Sequence, residues 1–282
     1  MTPVVAIIAP GNMGAAVGGR LTANGLTVLT SLANRGPEST ARAAAAGLKA
    51  VSDAEITPAD FLLSIVPPKE ALALAERLAP ALAAANRKPI YVDCNAVSPD
   101  TAKRIAAVIE ATGAPFVDGG IIGGPPREGY AGPKIFVSGP KAPRVAELGQ
   151  FGLVVRVVEG TIGAASALKL SYAGINKGMI AIGSAMVLAA RRAGVEDALM
   201  RELSESQRAL LAQLSRGVPD MFAKAERWAP EMEEIANYAG PGGEAEIFHG
   251  MAELYERLAK DFSGSKEEIA ALKEFFAKSG KN

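Results

Sequence analysis

The first 160 residues alternate short apolar runs with helix-like segments, and this alternation constrains the fold more than any other feature. Runs rich in valine and isoleucine, such as residues 3–9, stop at proline or glycine, which is typical of buried strands. The segments between them have helical composition and stop at glycines such as Gly25 and Gly47. This pattern predicts an α/β domain of Rossmann type with a doubly wound, largely parallel sheet. The predicted strands are residues 3–9, 26–30, 60–66, 89–93, 115–118, 134–138 and 152–158.

After about residue 160 only helical periodicity remains. We therefore predict an α/β domain over residues 1–160 and an all-helical domain over residues 161–282. A run of leucines in the second domain predicts one amphipathic helix, and several glycines and prolines are expected to divide the rest. The leucines are Leu199, Leu203, Leu210 and Leu214, and the breakers include Gly217, Pro219 and Pro230.

The residue counts exclude several classes of site. With one cysteine, Cys94, and one histidine, His249, the chain can form no internal disulfide and offers few zinc ligands, so we expect no metal and a reducing, cytoplasmic location. Lys plus Arg and Asp plus Glu number 30 each, which gives no electrostatic reason to expect a nucleic-acid or membrane partner. The uncharged run 178–190, within the most apolar predicted helix, is shorter than the roughly 20 residues that a bilayer span needs.

The turn after the first strand is the place for a dinucleotide-binding motif, because it opens a helix within a strand–helix–strand unit. Glycines there would let the backbone approach a pyrophosphate, and the helix N-terminus would hold the anion. An ordinary strand-to-helix turn is the alternative, since Ala9 replaces the first glycine of the motif. The predicted cofactor-binding residues of the turn are Pro10, Gly11, Asn12, Met13 and Gly14.

The end of the second strand indicates which dinucleotide binds. An acid at this position usually selects NAD, but none precedes Glu38 here. Ser31, Asn34 and Arg35 could instead bind a 2′-phosphate, and arginine can do so with two hydrogen bonds, which predicts NADP. A solvated loop arginine is the alternative. Further cofactor contacts are predicted at Val66 and Pro67, where the predicted strand 60–66 ends, and at Asn95, which follows the predicted strand 89–93.

A glycine cluster follows the strand at 115–118, at the sheet edge where open α/β sheets bind ligands. Its backbone could approach a small substrate closely, whereas a plain flexible loop is the alternative. The predicted substrate-binding residues are Asn95, Gly120, Ile121, Ile122, Gly123, Gly124 and Asn176.

The helix predicted over 161–193 is apolar or small on nearly every face, yet it carries Lys169, Tyr172 and Asn176 at spacings that share one face. A buried lysine has a lowered pKa and could move a proton at neutral pH, so Lys169 and Tyr172 are the catalytic candidates. The alternative is a lysine whose ammonium reaches solvent. Lys177, on a neighbouring face, is a weaker candidate.

Together these motifs resemble the β-hydroxyacid dehydrogenase family, which includes 3-hydroxyisobutyrate and 6-phosphogluconate dehydrogenases and, more distantly, imine reductases. The resemblance covers essentially the whole chain, although its C-terminal half is similar to a poorly characterised helical variant. The matching segments are the 10–14 turn, Asn34-Arg35, Asp93-Cys94-Asn95, Ser98-Pro99, the 118–124 glycines, and Gly163 followed by Lys169. The family has asparagine four residues after the lysine, where this chain has Ala173.

The resemblance implies an NADP-dependent oxidoreductase that transfers a hydride between the nicotinamide and a small β-hydroxyacid or related alcohol or carbonyl, with Lys169 moving the proton. An NADPH-dependent imine reductase, with Tyr172 as proton donor, is a second possibility. A non-catalytic NADP-binding sensor or scaffold is a third. The resemblance also implies that residues 1–160 bind the dinucleotide, that residues 161–282 form the substrate-binding and dimerisation domain, and that the protein is a homodimer. The small residues of the 161–193 helix would suit packing against a second subunit.

Overall fold

The computed structural model describes residues 2–278. Its internal contacts divide the chain into two compact units, one ending at Leu170 and one beginning at Ser171, and each is described by itself. The division falls within one long helix, α6 (Ala164–Arg192).

The first unit contains an eight-stranded sheet of order β3-β2-β1-β4-β5-β6-β7-β8. Neighbouring strands are parallel except for the antiparallel pair β6–β7, which confirms the predicted doubly wound α/β fold. The strands are β1 (Val4–Ile8), β2 (Thr27–Ser31), β3 (Lys49–Val51), β4 (Phe61–Ser64), β5 (Ile90–Asp93), β6 (Phe116–Ile122), β7 (Lys134–Ser138) and β8 (Val154–Val157). The helices are α1 (Asn12–Ala23), α2 (Pro37–Ala45), α3 (Ala71–Ala84), α4 (Pro99–Glu110) and α5 (Ala142–Ala146), with 3-10 helices at Pro68–Glu70 and Glu147–Phe151.

Both faces of the sheet are buried, which explains why its central strands are continuous apolar runs. Val5 and Ile7 of β1 point into the core layer that α1 covers, and Ala6 and Ile8 point into the layer that α3 and α4 cover. Successive side chains of a strand alternate between its faces, so a strand between two helical layers needs apolar residues at every position.

The sequence missed two features of this sheet. Strand β3 is three residues long and mostly exposed, and therefore lacks an apolar pattern. Strand β6 continues to Ile122, so Gly119 and Gly120 belong to the strand and not to a loop after residue 118. Glycine disfavours strands, but here the pairing with β7 from Asp118 to Ile122 holds the backbone extended.

The second unit is helical, as predicted, and it includes the rest of α6. Its other helices are α7 (Glu196–Ser206), α8 (Arg208–Met221), α9 (Ala225–Ala239), α10 (Gly243–Ser263) and α11 (Glu267–Ala277), with a 3-10 helix at Phe222–Lys224. The prediction that four leucines share one amphipathic helix was wrong, because a break at Gln207 places two of them on α7 and two on α8.

The prolines in this unit do not break helices as expected. Pro219 lies inside α8 and Pro230 inside α9. An interior proline costs about 3 kcal/mol, whereas each fully buried large apolar side chain contributes about 1.5–3 kcal/mol. Trp228 and Met232 flank Pro230 and are both buried, so tertiary packing offsets the lost hydrogen bond.

Helix α6 is long and apolar enough to cross a bilayer by length and composition alone, with a mean hydropathy of 1.4 over its best window. Of that window, 44% is buried within the protein, and the core helix of a soluble protein passes the same test. The length of α6 is therefore weak evidence for a membrane span.

Candidate functional site

The strand order reverses between β1 and β4, and open sheets bind ligands at the carboxyl ends of the strands on either side of such a point. The predicted dinucleotide turn lies there, and α1 begins directly after Gly11. A Cβ on Gly14 would lie 2.1 Å from the backbone oxygen of Ala9, so only glycine fits at this position. Among residues 2–278, a Cβ on Gly11 would meet nothing within 4 Å and no side chain caps the amides of α1. The turn thus leaves open space beside a helix N-terminus, which is the environment that binds pyrophosphate.

An acid from another part of the chain, which the sequence pattern did not reveal, lies beside the end of β2. The Ser31 hydroxyl is buried and donates to the Asp53 carboxylate at 2.5 Å. Asp53 follows β3, the strand that was missed, and pairs with Arg77 at 3.2 Å. The Asp53 carboxylate is therefore already paired with the Arg77 guanidinium and hydrogen-bonded to the Ser31 hydroxyl.

Two arginines lie around the same strand end. Asn34 has a left-handed backbone with φ of 60°, in a turn that the amide of Arg35 closes on the Leu32 oxygen at 3.0 Å. The Arg35 guanidinium lies 3.4 Å from the Glu70 carboxylate. Arg42 was not predicted, but its Nε donates to the Pro10 oxygen at 3.3 Å, which places a second cation against the dinucleotide turn.

Asn95 is 3% exposed, and its side chain is engaged inside the protein. Its Oδ1 accepts from the Val66 amide at 2.6 Å, and its Nδ2 donates to Ser64 Oγ at 2.8 Å and to Asp93 Oδ1. The amide thus joins the ends of β4 and β5 and positions the partly exposed Val66-Pro67 segment. Its side chain serves this edge of the sheet as a positioning group.

Asp93 lies behind Asn95 and directly opposite Asp118 in the sheet register. Burial raises the pKa of Asp93 to about 7, the Asp118 carboxylate adds to the increase, and hydrogen bonds from Asn95 oppose it. Among the described residues, the Asp93 Oδ2 atom has no hydrogen-bond partner.

Asp118 fixes the start of α6 to the sheet. Its carboxylate accepts from the amides of Gly163 and Ser166, each at 3.0 Å, and from the Ser166 hydroxyl at 2.5 Å. Ser138 donates to the same carboxylate at 2.9 Å and accepts from the Ala165 amide at 3.0 Å. A carboxylate at a helix N-terminus satisfies free amides and complements the helix dipole.

This anchor places the Lys169 stem directly over Gly120. A Cβ on Gly120 would lie 2.8 Å from the Cβ of Lys169 and 3.2 Å from the Ala165 oxygen. Gly119 is restricted in the same way, since its Cβ would lie 2.8 Å from the Asp93 oxygen. The glycine pair thus lets a half-buried lysine approach the carboxyl end of β6.

The rest of the glycine motif divides into buried and open parts. Ile121 is 8% exposed and packs in the core, whereas Ile122 is half-buried. Gly123 has φ of 122°, and a Cβ there would lie 2.7 Å from the Tyr130 hydroxyl. A Cβ on Gly124 would meet nothing within 4 Å, so this backbone borders open space.

The other candidate residues belong to the helical unit. Tyr172 is 50% exposed, and the side chain of Asn176 donates to the Tyr172 backbone oxygen at 2.8 Å. Lys177 forms an ion pair with Glu231 in which both side chains are 12% exposed, and its ammonium lies 5.0 Å from the centre of the Trp228 ring. His249 Nδ1 lies 2.9 Å from Glu233 on the surface, outside any buried cluster.

Residues 4–148, just over half of the chain, match the family model described as the NAD binding domain of 6-phosphogluconate dehydrogenase. Residues 190–258 match a domain of unknown function (DUF1932). An uncharacterized 28.5 kDa protein in the 7S RNA 5′ region of Methanothermus fervidus is 31% identical over 180 residues, which are 64% of this chain and 67% of that protein.

Solved structures are similar over almost the whole chain. A conserved protein of unknown function, with structural similarity to 3-hydroxyacid dehydrogenases, is 25% identical with a TM-score of 0.73, over 95% of this chain and 99% of its own. The 3-hydroxyisobutyrate dehydrogenase of Mycobacterium tuberculosis, with L-serine, is 19% identical with a TM-score of 0.65, over 100% of this chain and 99% of that protein's chain. An imine reductase variant from Myxococcus stipitatus, with NAD+, is 18% identical with a TM-score of 0.59, over 98% of this chain and 99% of that protein's chain. The last two likenesses show a shared fold. The chain belongs to the family described as the NAD binding domain of 6-phosphogluconate dehydrogenase, and it is an NAD(P)-binding oxidoreductase.

Proposed function

We propose that this protein transfers a hydride between NADP(H) and a small β-hydroxyacid or a related alcohol or carbonyl compound. The observation that carries the proposal is the approach of Lys169 to Gly120, at the carboxyl edge of a sheet that also bears the dinucleotide turn. This arrangement supplies a cation that can move a proton and a backbone that a small substrate can approach.

The residues at the sheet edge fit a dinucleotide. The amides at the start of α1 and the open space beside Gly11 would hold its pyrophosphate, and Arg35 with Arg42 would attract a 2′-phosphate. When bound, NADP(H) supplies or accepts the hydride, and the protein contributes position and proton transfer.

Lys169 would exchange the proton at the substrate oxygen. Its Cβ and Cγ pack over Gly120 and the Asp118 anchor fixes the start of its helix, so the first part of the side chain is already positioned before a substrate binds. The backbone from Gly120 to Gly124 would hold the substrate, and Asn95 would keep this edge in shape through Val66 and Ser64.

Turnover by a lysine variant tests this role. Lys169→Met keeps the stem and removes the ionisable group, so we expect turnover to fall about 10²–10⁴-fold with little change in NADPH affinity. Lys141→Met, at an exposed position before α5, is the matched control and should behave as wild type. Near-normal turnover of Lys169→Met on a confirmed substrate would refute the assignment.

Imine reduction is the second candidate. Tyr172, half-exposed on α6, is the feature that favours it, together with the shared fold of an imine reductase. Tyr172→Phe distinguishes the two functions: loss of imine reduction by this variant, while Lys169→Met stays active, would favour Tyr172 as the proton donor. Tight NADPH binding without turnover on a broad panel of hydroxyacids and imines would instead favour a non-catalytic sensor.

We also propose a homodimer. Exposed apolar side chains lie along one side of α6 at spacings of three and four residues, a pattern that packs helices side by side. They are Tyr172, Ile175, Ile182 and Met186, which are 50–70% exposed, and the partly exposed Met179. Covering this stripe with a second copy would remove it from water.

A further inference from the structure

The arginine expected to bind a 2′-phosphate already holds an internal carboxylate. Arg35 Nη2 lies 3.4 Å from Glu70 Oε2, and the two side chains are 25% and 43% exposed. Glu70 ends the 3-10 helix Pro68–Glu70, and its amide donates to the Pro67 oxygen at 2.9 Å. The two prolines therefore fix the direction in which the chain leaves β4 and bring the carboxylate to the end of β2.

The neighbouring cations are matched in the same way. Arg42 lies 3.4 Å from Glu38, and Arg77 lies 3.2 Å from Asp53. Each guanidinium at this edge thus has one carboxylate beside it. A 2′-phosphate carries about −1.5 to −2 charges at neutral pH, so it would add uncompensated negative charge unless a cation is released to it.

We propose, on the basis of the proposed NADP function, that Glu70 is a specificity-determining residue that holds Arg35 in place of the 2′-phosphate. Binding of NADP(H) exchanges the Arg35–Glu70 pair for an Arg35–phosphate pair and leaves the Glu70 carboxylate close to a second anion. NAD(H) has no 2′-phosphate and leaves the pair intact. Glu70 therefore lowers the affinity for NADP(H) but not the affinity for NAD(H), and so reduces the preference of the protein for NADP(H).

A purely structural role for Glu70 makes a different prediction. If the carboxylate only tethered the 3-10 helix, its loss would loosen the segment after β4, which borders the cofactor position for both dinucleotides. Affinities for NADPH and NADH would then change together, and the thermal midpoint would fall.

The test measures dissociation constants for NADPH and NADH by fluorescence at low, fixed ionic strength, where partly exposed charges act most strongly. The proteins are wild type, Glu70→Gln, Arg35→Ala and the double variant. Glu147→Gln, which removes the carboxylate of the distant Arg144–Glu147 pair, is the matched control. We expect Glu70→Gln to bind NADPH about two- to fivefold more tightly, with NADH affinity unchanged.

The gain should vanish in the double variant, because Glu70 acts through Arg35. If Glu70→Gln leaves NADPH affinity unchanged, or shifts both cofactors equally, the inference is wrong while the proposed NADP function stands, provided that Arg35→Ala still weakens NADPH alone. If Arg35→Ala weakens both cofactors equally, the 2′-phosphate assignment is wrong and the role of Glu70 is refuted with it.

Discussion

Replacing Gly120 by alanine tests whether the close approach of α6 to β6 sets the position of Lys169. The added Cβ would lie 2.8 Å from the Lys169 Cβ, whereas ordinary contacts begin at 3.4 Å, so the two must separate by about 0.6 Å. Neither partner is a flexible tip. The strand is paired with β7, and the helix start is held by Asp118.

The expected cost follows from this rigidity. Overpacking a well-packed site destabilises by about 1–3 kcal/mol, which corresponds to a fall of roughly 2–12 °C in the thermal midpoint of a chain this size. A displacement of about 1 Å at a reacting group can reduce turnover about 100-fold, so we expect a loss between about tenfold and that figure. NADPH affinity should change little.

The matched control is Gly124→Ala in the same motif. A Cβ there meets nothing within 4 Å, so the thermal midpoint should equal that of wild type. Calorimetry, or thermal unfolding followed by circular dichroism, compares the three proteins, and steady-state kinetics on a confirmed substrate follows. If Gly120→Ala has the same thermal midpoint as Gly124→Ala and keeps full turnover, the lysine stem does not pack on the strand and its proposed positioning is wrong.

Three further changes test other parts of the molecule. Gly11→Ala should keep its thermal midpoint, because a Cβ there meets nothing within 4 Å, but should lose about tenfold or more in NADPH affinity; unchanged affinity would contradict the pyrophosphate assignment. Burial raises the pKa of Asp93 from the ordinary 3.8 to about 7, so the native state binds more protons than the unfolded state and the wild-type free energy of unfolding should fall between pH 4 and 8. Asp93→Asn should abolish this fall. This fall amounts to at most about 4 kcal/mol, and unfolding free energies of the two proteins that change with pH in parallel would refute the role of Asp93. Ile175→Glu, on the 70% exposed side chain of α6, should convert the proposed dimer to monomer in light scattering, and an unchanged mass would place the contact elsewhere.

The sequence predicts best what depends on local pattern. Strands such as β1 and β4 are visible because apolar side chains fill both sides of the sheet, and the helix at 99–110 is visible because Ser98 caps it by accepting from the Thr101 amide at 3.2 Å. The dinucleotide turn is visible because Gly14 is required by a contact only five residues away. In each case the determining residues are close together along the chain.

The charge environment at the end of β2 could not be predicted in this way. Arg35 was identified, but Glu70 comes from the segment after β4, and Asp53 follows an exposed strand of three residues. Which acids meet which cations depends on the strand order and on how each loop leaves the sheet. The absence of an acid from the 31–35 segment therefore did not mean the absence of an acid near the end of β2 in space.

The position of the lysine follows from the same kind of long-range contact. A change of pattern near residue 161 predicted a boundary there, yet the contacts divide the chain after Leu170. The first turn of α6 belongs with the sheet because Asp118 and Ser138 accept hydrogen bonds from its amides, across separations of 48 and 27 residues along the chain. Lys169 is consequently fixed by the nucleotide-binding unit itself, through Gly120 and Asp118, while Tyr172 lies in the helical unit. Variants at Gly120 and Asp118 should therefore impair the proposed function of Lys169. Because Tyr172 lies one turn further along the same helix, such variants would displace both side chains, and only the pair Lys169→Met and Tyr172→Phe separates the lysine mechanism from one that relies on Tyr172.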